Sequence, residues 1–228
     1  MSPDKLPLDR GLFGRLRHDA GAEWEAYVRH RFVLALGTGT LPKRAFQHYL
    51  RQDFLFLIQF ARAYALAGYK SATLAELRAA SASVTAIVDV EMPLHVAYCA
   101  EWGLTESEMQ VEPEALETIA YTRFVLEAGM AGDRLDLEVA LIPCLVGYAE
   151  LVERLLADPA TIRVGNPYNA WLNAYSGDDY RRAAIAAIDS LDRLAQTRGG
   201  EARYSSLLAT FRTATRLETA FWQMGLCA

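Results

Sequence analysis

Residues 134–157 read RLDLEVALIPCLVGYAELVERLLA, and this stretch decides the fold class. Leu137, Leu141, Cys144, Tyr148, Leu151 and Leu155 recur at steps of four and three residues, the spacing that lines side chains along one face of an α-helix. That face carries a thiol and a phenol one turn apart, on the side that meets other helices. Pro143 lacks the N–H that would bond the preceding turn, which predicts a kink or a restart just before the thiol. Cys144 has two readings at this level. It is either a small buried hydrophobe or a nucleophile facing a pocket.

The same period recurs on both sides. Residues 43–67 predict a helix with a face of Phe46, Leu50, Asp53, Leu57, Phe60 and Tyr64. It is entered from the turn GTGTLP with Pro42 near its first turn, and Gly68 is placed to end it. Residues 73–102 predict one helix with a face of Leu77, Ser81, Val84, Val88, Glu91, His95, Tyr98 and Trp102, bent at Pro93 and ended at Gly103. Thr105 and Glu108 have capping-box spacing for a short turn. Pro113 opens a helix that carries Tyr121 and Phe124 and ends at Gly129. After residues 134–157 come a loop (158–165) and a short helix and turn (166–180). An amphipathic helix (178–197) follows, stopped by Gly199 and Gly200. The last helix (201–225) has a face of Tyr204, Leu207, Phe211, Ala214, Glu218 and Phe221. At the front, residues 1–10 read as a loose lead-in. Asp9 is placed to cap a helix through LFGRLRHDAGAEWEAYV, and a short helical piece runs from His30 to Leu36. No period-two run and no Asn-Gly or Asp-Gly hairpin turn occurs. The expected fold is an all-α multi-helix bundle with short connections, one domain over residues 1–228.

Composition narrows the function classes. The chain has 228 residues, 52% of them hydrophobic and 22% charged, enough to bury a sizeable core. No apolar run approaches the roughly 18 residues of a membrane span, and MSPDKLPLDR lacks the apolar centre of an export signal. The formal net charge is −5 with no basic cluster, which argues against a nucleic-acid groove. The three cysteines, Cys99, Cys144 and Cys227, form no CxxC pair and no even framework. The expected setting is a reducing cytoplasm.

Ionisable groups interrupt three of the apolar faces: Asp53, Glu218, and Glu91 with His95. A carboxylate at a core position is costly unless paired or hydrogen-bonded. An arginine partner would satisfy each singly. Together with Cys144, Tyr148 and Tyr121 they point to a shared polar pocket inside the bundle. Glu91 and His95 stand at i, i+4, a spacing for a structural hydrogen bond and also for metal ligands. No second Glu-x-x-His set exists among His18, His30 and His48, so a metal site is not expected. The sequence contains no G-x-S-x-G elbow and no phosphate-binding G-x-x-x-x-G-K-[ST] loop.

Six blocks in order resemble the TenA/thiaminase II family: HRFVLALGTGTLPKRAFQHYLRQD (30–53), VEMPLH (90–95), AYTRF (120–124), LIPCLVGYAE (141–150), NPYNAWLNAYSGDDY (166–180) and LETAFW (217–222). The resemblance spans about residues 20–225. It implies a heme-oxygenase-like all-α fold without heme or other cofactor, assembled as a homotetramer. It also implies hydrolysis of 4-amino-5-aminomethyl-2-methylpyrimidine in thiamin salvage, with thiamin cleavage as a further activity. Carried over by position, Cys144 takes the nucleophile's place, Glu218 that of the general acid and base, and Asp53 that of the pyrimidine-binding carboxylate. Tyr121, Tyr148 and Tyr175 take the places of pocket tyrosines. Phe56 stands where relatives often carry a pocket tyrosine, so one hydroxyl near the thiol is missing. Two other readings remain at this level: a metal-dependent oxidase on the same scaffold, and a pyrimidine-binding regulator without catalysis.

Overall fold

The computed structural model describes residues 5–227 and, among them, contains helices and no strands. The stretch at 134–157 becomes α9 (Arg134–Ala157), which packs against α8 (Leu116–Ala131), α11 (Asp178–Thr197) and α12 (Tyr204–Leu226). Its start is fixed by a capping box. The Asp133 side chain accepts from the N–H groups of Leu135 and Asp136, and Asp136 returns a bond to the Asp133 N–H. Leu137, Leu141, Tyr148, Leu151 and Leu155 are all buried. The helix does not restart at Pro143. It runs unbroken through it, and the Tyr27 hydroxyl donates to the Pro143 carbonyl at 3.3 Å.

Charged groups in this interior are tied down in pairs. Arg134 and Glu138 meet at 2.7 Å, and the arginine also donates to the Ala67 carbonyl. Glu150 accepts from Arg17 and from the Trp24 indole. Such pairing is what makes charge tolerable where water is absent. Gly147 is required by a close approach: a Cβ there would lie 2.2 Å from the Tyr27 ring.

Around α9 the front of the chain divides into α1 (Gly11–Asp19), α2 (Gly21–Val28) and α3 (Arg31–Gly37). The expected single helix after Asp9 is broken at Ala20, a turn that brings Phe13 and Trp24 edge to face at 5.7 Å, both against Phe211. Asp9 caps nothing and pairs with Arg17; the N-cap residue is Arg10. The described part of the lead-in is docked rather than loose, since Leu6 is buried in the core. Residues 1–4 of that lead-in lie outside the described residues.

α4 (Lys43–Tyr69) buries its predicted face throughout. It runs past Gly68, whose missing side chain lets α5 (Leu74–Ala86) pack close, with Leu77 and Ala80 against it. Gly129 likewise lies inside α8 instead of ending it, because a Cβ there would press on Leu137 and Leu66. α8 begins at Leu116, not at Pro113. Gln52 ties off its approach, donating to the Pro113 carbonyl and accepting from the Ala115 N–H.

The expected single helix over 73–102 is the largest departure. α5 ends at Ala86, a π-helical turn occupies Ile87–Glu91, and α6 (Met92–Ala100) follows. A π turn inserts an extra residue and rotates everything after it. Leu77 and Val88 of the predicted face are therefore exposed, while Ile87, Glu91, His95 and Cys99 turn inward at steps of four. Pro93 sits in the first turn of α6, where its missing N–H costs nothing. The capping box at Thr105 and Glu108 forms as expected on α7 (Glu106–Gln110). The bundle is completed by α10 (Asn169–Ser176).

Candidate active site

The predicted faces of α4, α9 and α10 meet around a cavity of about 460 Å³, closed on the remaining side by the π turn and α6. Asp53, Phe56, Cys144, Tyr148 and Tyr175 line it, as do Glu91, His95 and Trp171. Glu218 and Tyr121 are not in this lining. They form a buried pair beside it, with the Tyr121 hydroxyl donating to Glu218 at 2.7 Å. The pair touches the cavity through Phe56, whose ring lies 5.0 Å from Tyr121, and through the Cys144 thiol, which hydrogen-bonds Glu218.

Asp53 pairs with no arginine. His95 Nε2 meets its Oδ2 at 2.7 Å, and the Tyr49 hydroxyl donates to the same oxygen at 3.0 Å. His95 Nδ1 lies 3.0 Å from the Glu91 backbone carbonyl, which only accepts, so Nδ1 carries a proton. The Glu91–His95 contact expected from i, i+4 spacing thus runs through the backbone. The Glu91 side chain accepts instead from the Tyr175 hydroxyl at 2.8 Å. Tyr49 extends the network to Tyr148 at 3.2 Å and to the Trp171 indole at 3.3 Å. Among the described residues, no three His, Cys, Asp or Glu side chains are grouped to hold a metal ion.

Burial sets the proton affinities here. It lifts the Glu218 carboxyl to about 8, against the bond from Tyr121 that pulls it down. Burial, with the Glu218 charge adding to it, drives the Cys144 thiol well above its ordinary range. Burial also raises Glu91. At His95 burial opposes charge, but the Asp53 carboxylate, helped by Glu91, outweighs it and holds the imidazole above its usual value. Chemically, the cavity offers a thiol beside a carboxyl that exchanges protons near neutrality, and a carboxylate braced by imidazole and phenol.

The structure brings Asp53, Cys144 and Glu218 together as the face interruptions implied. Sequence reasoning missed Tyr49 and Trp171. Tyr49 stands four residues before Asp53 on one helix, a spacing that could have revealed it. The Asp53–His95 contact joins two helices 42 residues apart and leaves no local mark.

The sequence profile of the TENA/THI-4/PQQC family matches residues 18–228. An uncharacterised protein of Haemophilus influenzae is 38% identical over 215 residues, covering 94% of this chain and 99% of its own. An aminopyrimidine aminohydrolase of Halalkalibacterium halodurans is 35% identical over 203 residues, 88% of this chain and 89% of its own. A crystal structure from Silicibacter, described as a TenA family transcription regulator, superposes with a TM-score of 0.89 at 45% identity, covering 95% of this chain and 97% of that one.

Proposed function

The chain belongs to the TENA/THI-4/PQQC family, and on that footing we propose that it is an aminopyrimidine aminohydrolase of thiamin salvage, with Cys144 as its nucleophile. It converts 4-amino-5-aminomethyl-2-methylpyrimidine and water to the 5-hydroxymethyl compound and ammonia, and thiamin, which carries the same pyrimidine, is a further substrate. The observation that carries this reading is the convergence of one thiol and two differently tuned carboxyl groups on one aromatic-walled cavity. The activity printed for the Halalkalibacterium halodurans relative supports the same class.

Asp53 holds the ring. Its Oδ2 is occupied by His95 and Tyr49, so Oδ1 receives the 4-amino group. The aromatic walls hold the ring's faces. The Cys144 thiol passes its proton to Glu218, and the sulfur bonds to the ring carbon next to the one bearing the side arm. The displaced ring electrons come to rest on the ring nitrogen, which takes that proton from Glu218. The 4-amino lone pair then pushes out the side arm's nitrogen, and the carbon–nitrogen bond breaks with its electrons leaving on ammonia. Water adds to the exposed methylene and gives its proton to Glu218. Loss of the ring-nitrogen proton and departure of the sulfur restore the aromatic ring and the free thiol. A carboxyl near pKa 8 suits this alternating duty at neutral pH.

Phe56 supports the site without a hydroxyl, packed between Phe60, Tyr121 and Phe221. Apolar side chains exposed along α5 and the π turn, including Leu74, Leu77, Val88 and Val90, support burial of that face between copies in a homotetramer. The activity is tested with purified chain and the aminomethylpyrimidine. Ammonia and hydroxymethylpyrimidine appear in equal amounts; binding without turnover would overturn the reading in favour of a pyrimidine-sensing protein.

A further inference from the structure

The mechanism above leaves one cavity carboxyl without a task. Glu91 is delivered to the cavity wall by the π turn, which rotates it inward together with His95. Its Oε1 accepts from Tyr175. Tyr175 is itself boxed by Trp171 at 4.7 Å, Tyr148 at 5.0 Å and Tyr180 at 5.1 Å. Among the residues lining the cavity there is no lysine or arginine, and the only basic side chain, His95, is committed to Asp53. A carboxyl group among aromatic rings, with no cation of its own, is the composition that takes up an organic cation.

The cavity also exceeds its smallest expected occupant. A single substituted pyrimidine fills only a fraction of about 460 Å³, which leaves room for a side arm beyond the ring. In the proposed reaction the two ends of the chemistry differ in charge. The aminomethyl arm of the substrate is an ammonium ion near neutral pH, and the hydroxymethyl arm of the product is neutral.

We propose that Glu91 and the aromatic rings around Tyr175 form a subsite for the cationic side arm of the pyrimidine, whether an ammonium or a quaternary azolium, and that this subsite discriminates substrate from product by charge. The inference rests on the aminohydrolase reading and adds a specificity determinant to it. Glu91 grips the leaving nitrogen while Asp53 grips the ring and Glu218 serves the thiol. Once nitrogen is replaced by oxygen, the charge that held the arm is gone and the product is released. Burial disfavours the Glu91 carboxylate in the empty cavity, and an incoming cation restores it.

The test is a comparison of two ligands in two proteins. Binding of the 5-aminomethyl and 5-hydroxymethyl pyrimidines is measured by calorimetry in Cys144→Ser protein, with and without Glu91→Gln. Glutamine keeps an acceptor for Tyr175 and removes the charge. The expected result is a loss of about tenfold or more for the aminomethyl ligand and less than about twofold for the hydroxymethyl ligand. Equal weakening of both ligands assigns Glu91 a structural role and overturns the proposal, as does no change in either. Wild-type protein that turns the substrate over while Glu91→Gln leaves the preference intact sinks this inference alone. Wild-type protein that binds neither ring sinks the aminohydrolase reading with it.

Discussion

At Glu218 a carboxyl is 2% exposed, with Tyr121, Cys144 and Tyr27 as partners. Its affinity for a proton, raised from the ordinary 4.5 to about 8, is a statement about stability as well as catalysis. Below about pH 4.5 the group is protonated in both the folded and unfolded states and contributes nothing to pH dependence. As pH rises from there towards 8, the unfolded chain sheds the proton that the folded chain keeps, and stability falls. Glu218→Gln, always neutral, removes that loss. The variant should therefore gain stability over wild type progressively between pH 4.5 and 8, by on the order of 4 kcal/mol at the top of the window. Denaturant unfolding at several pH values checks this, and a gap that stays flat or closes with rising pH would contradict it. The group was legible as an interruption of an apolar face, but its partners were not, because Tyr121 arrives from a helix about a hundred residues earlier.

Among the elements, α9 was legible almost to the residue, since its period, its cap at Asp133 and its termini are all local signals. The π turn was not. The stretch 73–102 keeps a plausible helical face on paper, and only packing against α4 forces the extra residue that turns Glu91 and His95 inward. Gly68 and Gly129 misled for a related reason. Both were read as helix ends, yet each is a place where two helices press together. Gly147 belongs to the same class and gives a direct test. Gly147→Ala puts a methyl group into the Tyr27 ring beside the Pro143–Cys144 segment. The ring must move, at a cost of about 1–3 kcal/mol, visible as a lowered denaturation midpoint. Unchanged stability would show that Tyr27 yields freely.

For the whole molecule, helical periodicity alone gave the all-α class, and ordered sequence blocks gave the family, while the three-way meeting of α4, α9 and α12 at one cavity needed the structure. Among the described residues no helix is long and apolar enough to cross a membrane. The apolar side chains left on the surface of α5 and the π turn therefore call for another partner. Sedimentation analysis should give the mass of four copies, and a monomer at micromolar concentration would contradict that assembly.

The measurement that bears most directly on the site is ammonia release from the aminomethylpyrimidine by wild type and Cys144→Ser side by side. If Cys144 attacks the ring, the serine variant binds the pyrimidine but releases ammonia at least about a hundredfold more slowly, since a hydroxyl in this buried setting is far harder to ionise than a thiol. Equal rates in the two proteins would contradict the assignment of Cys144 as the nucleophile.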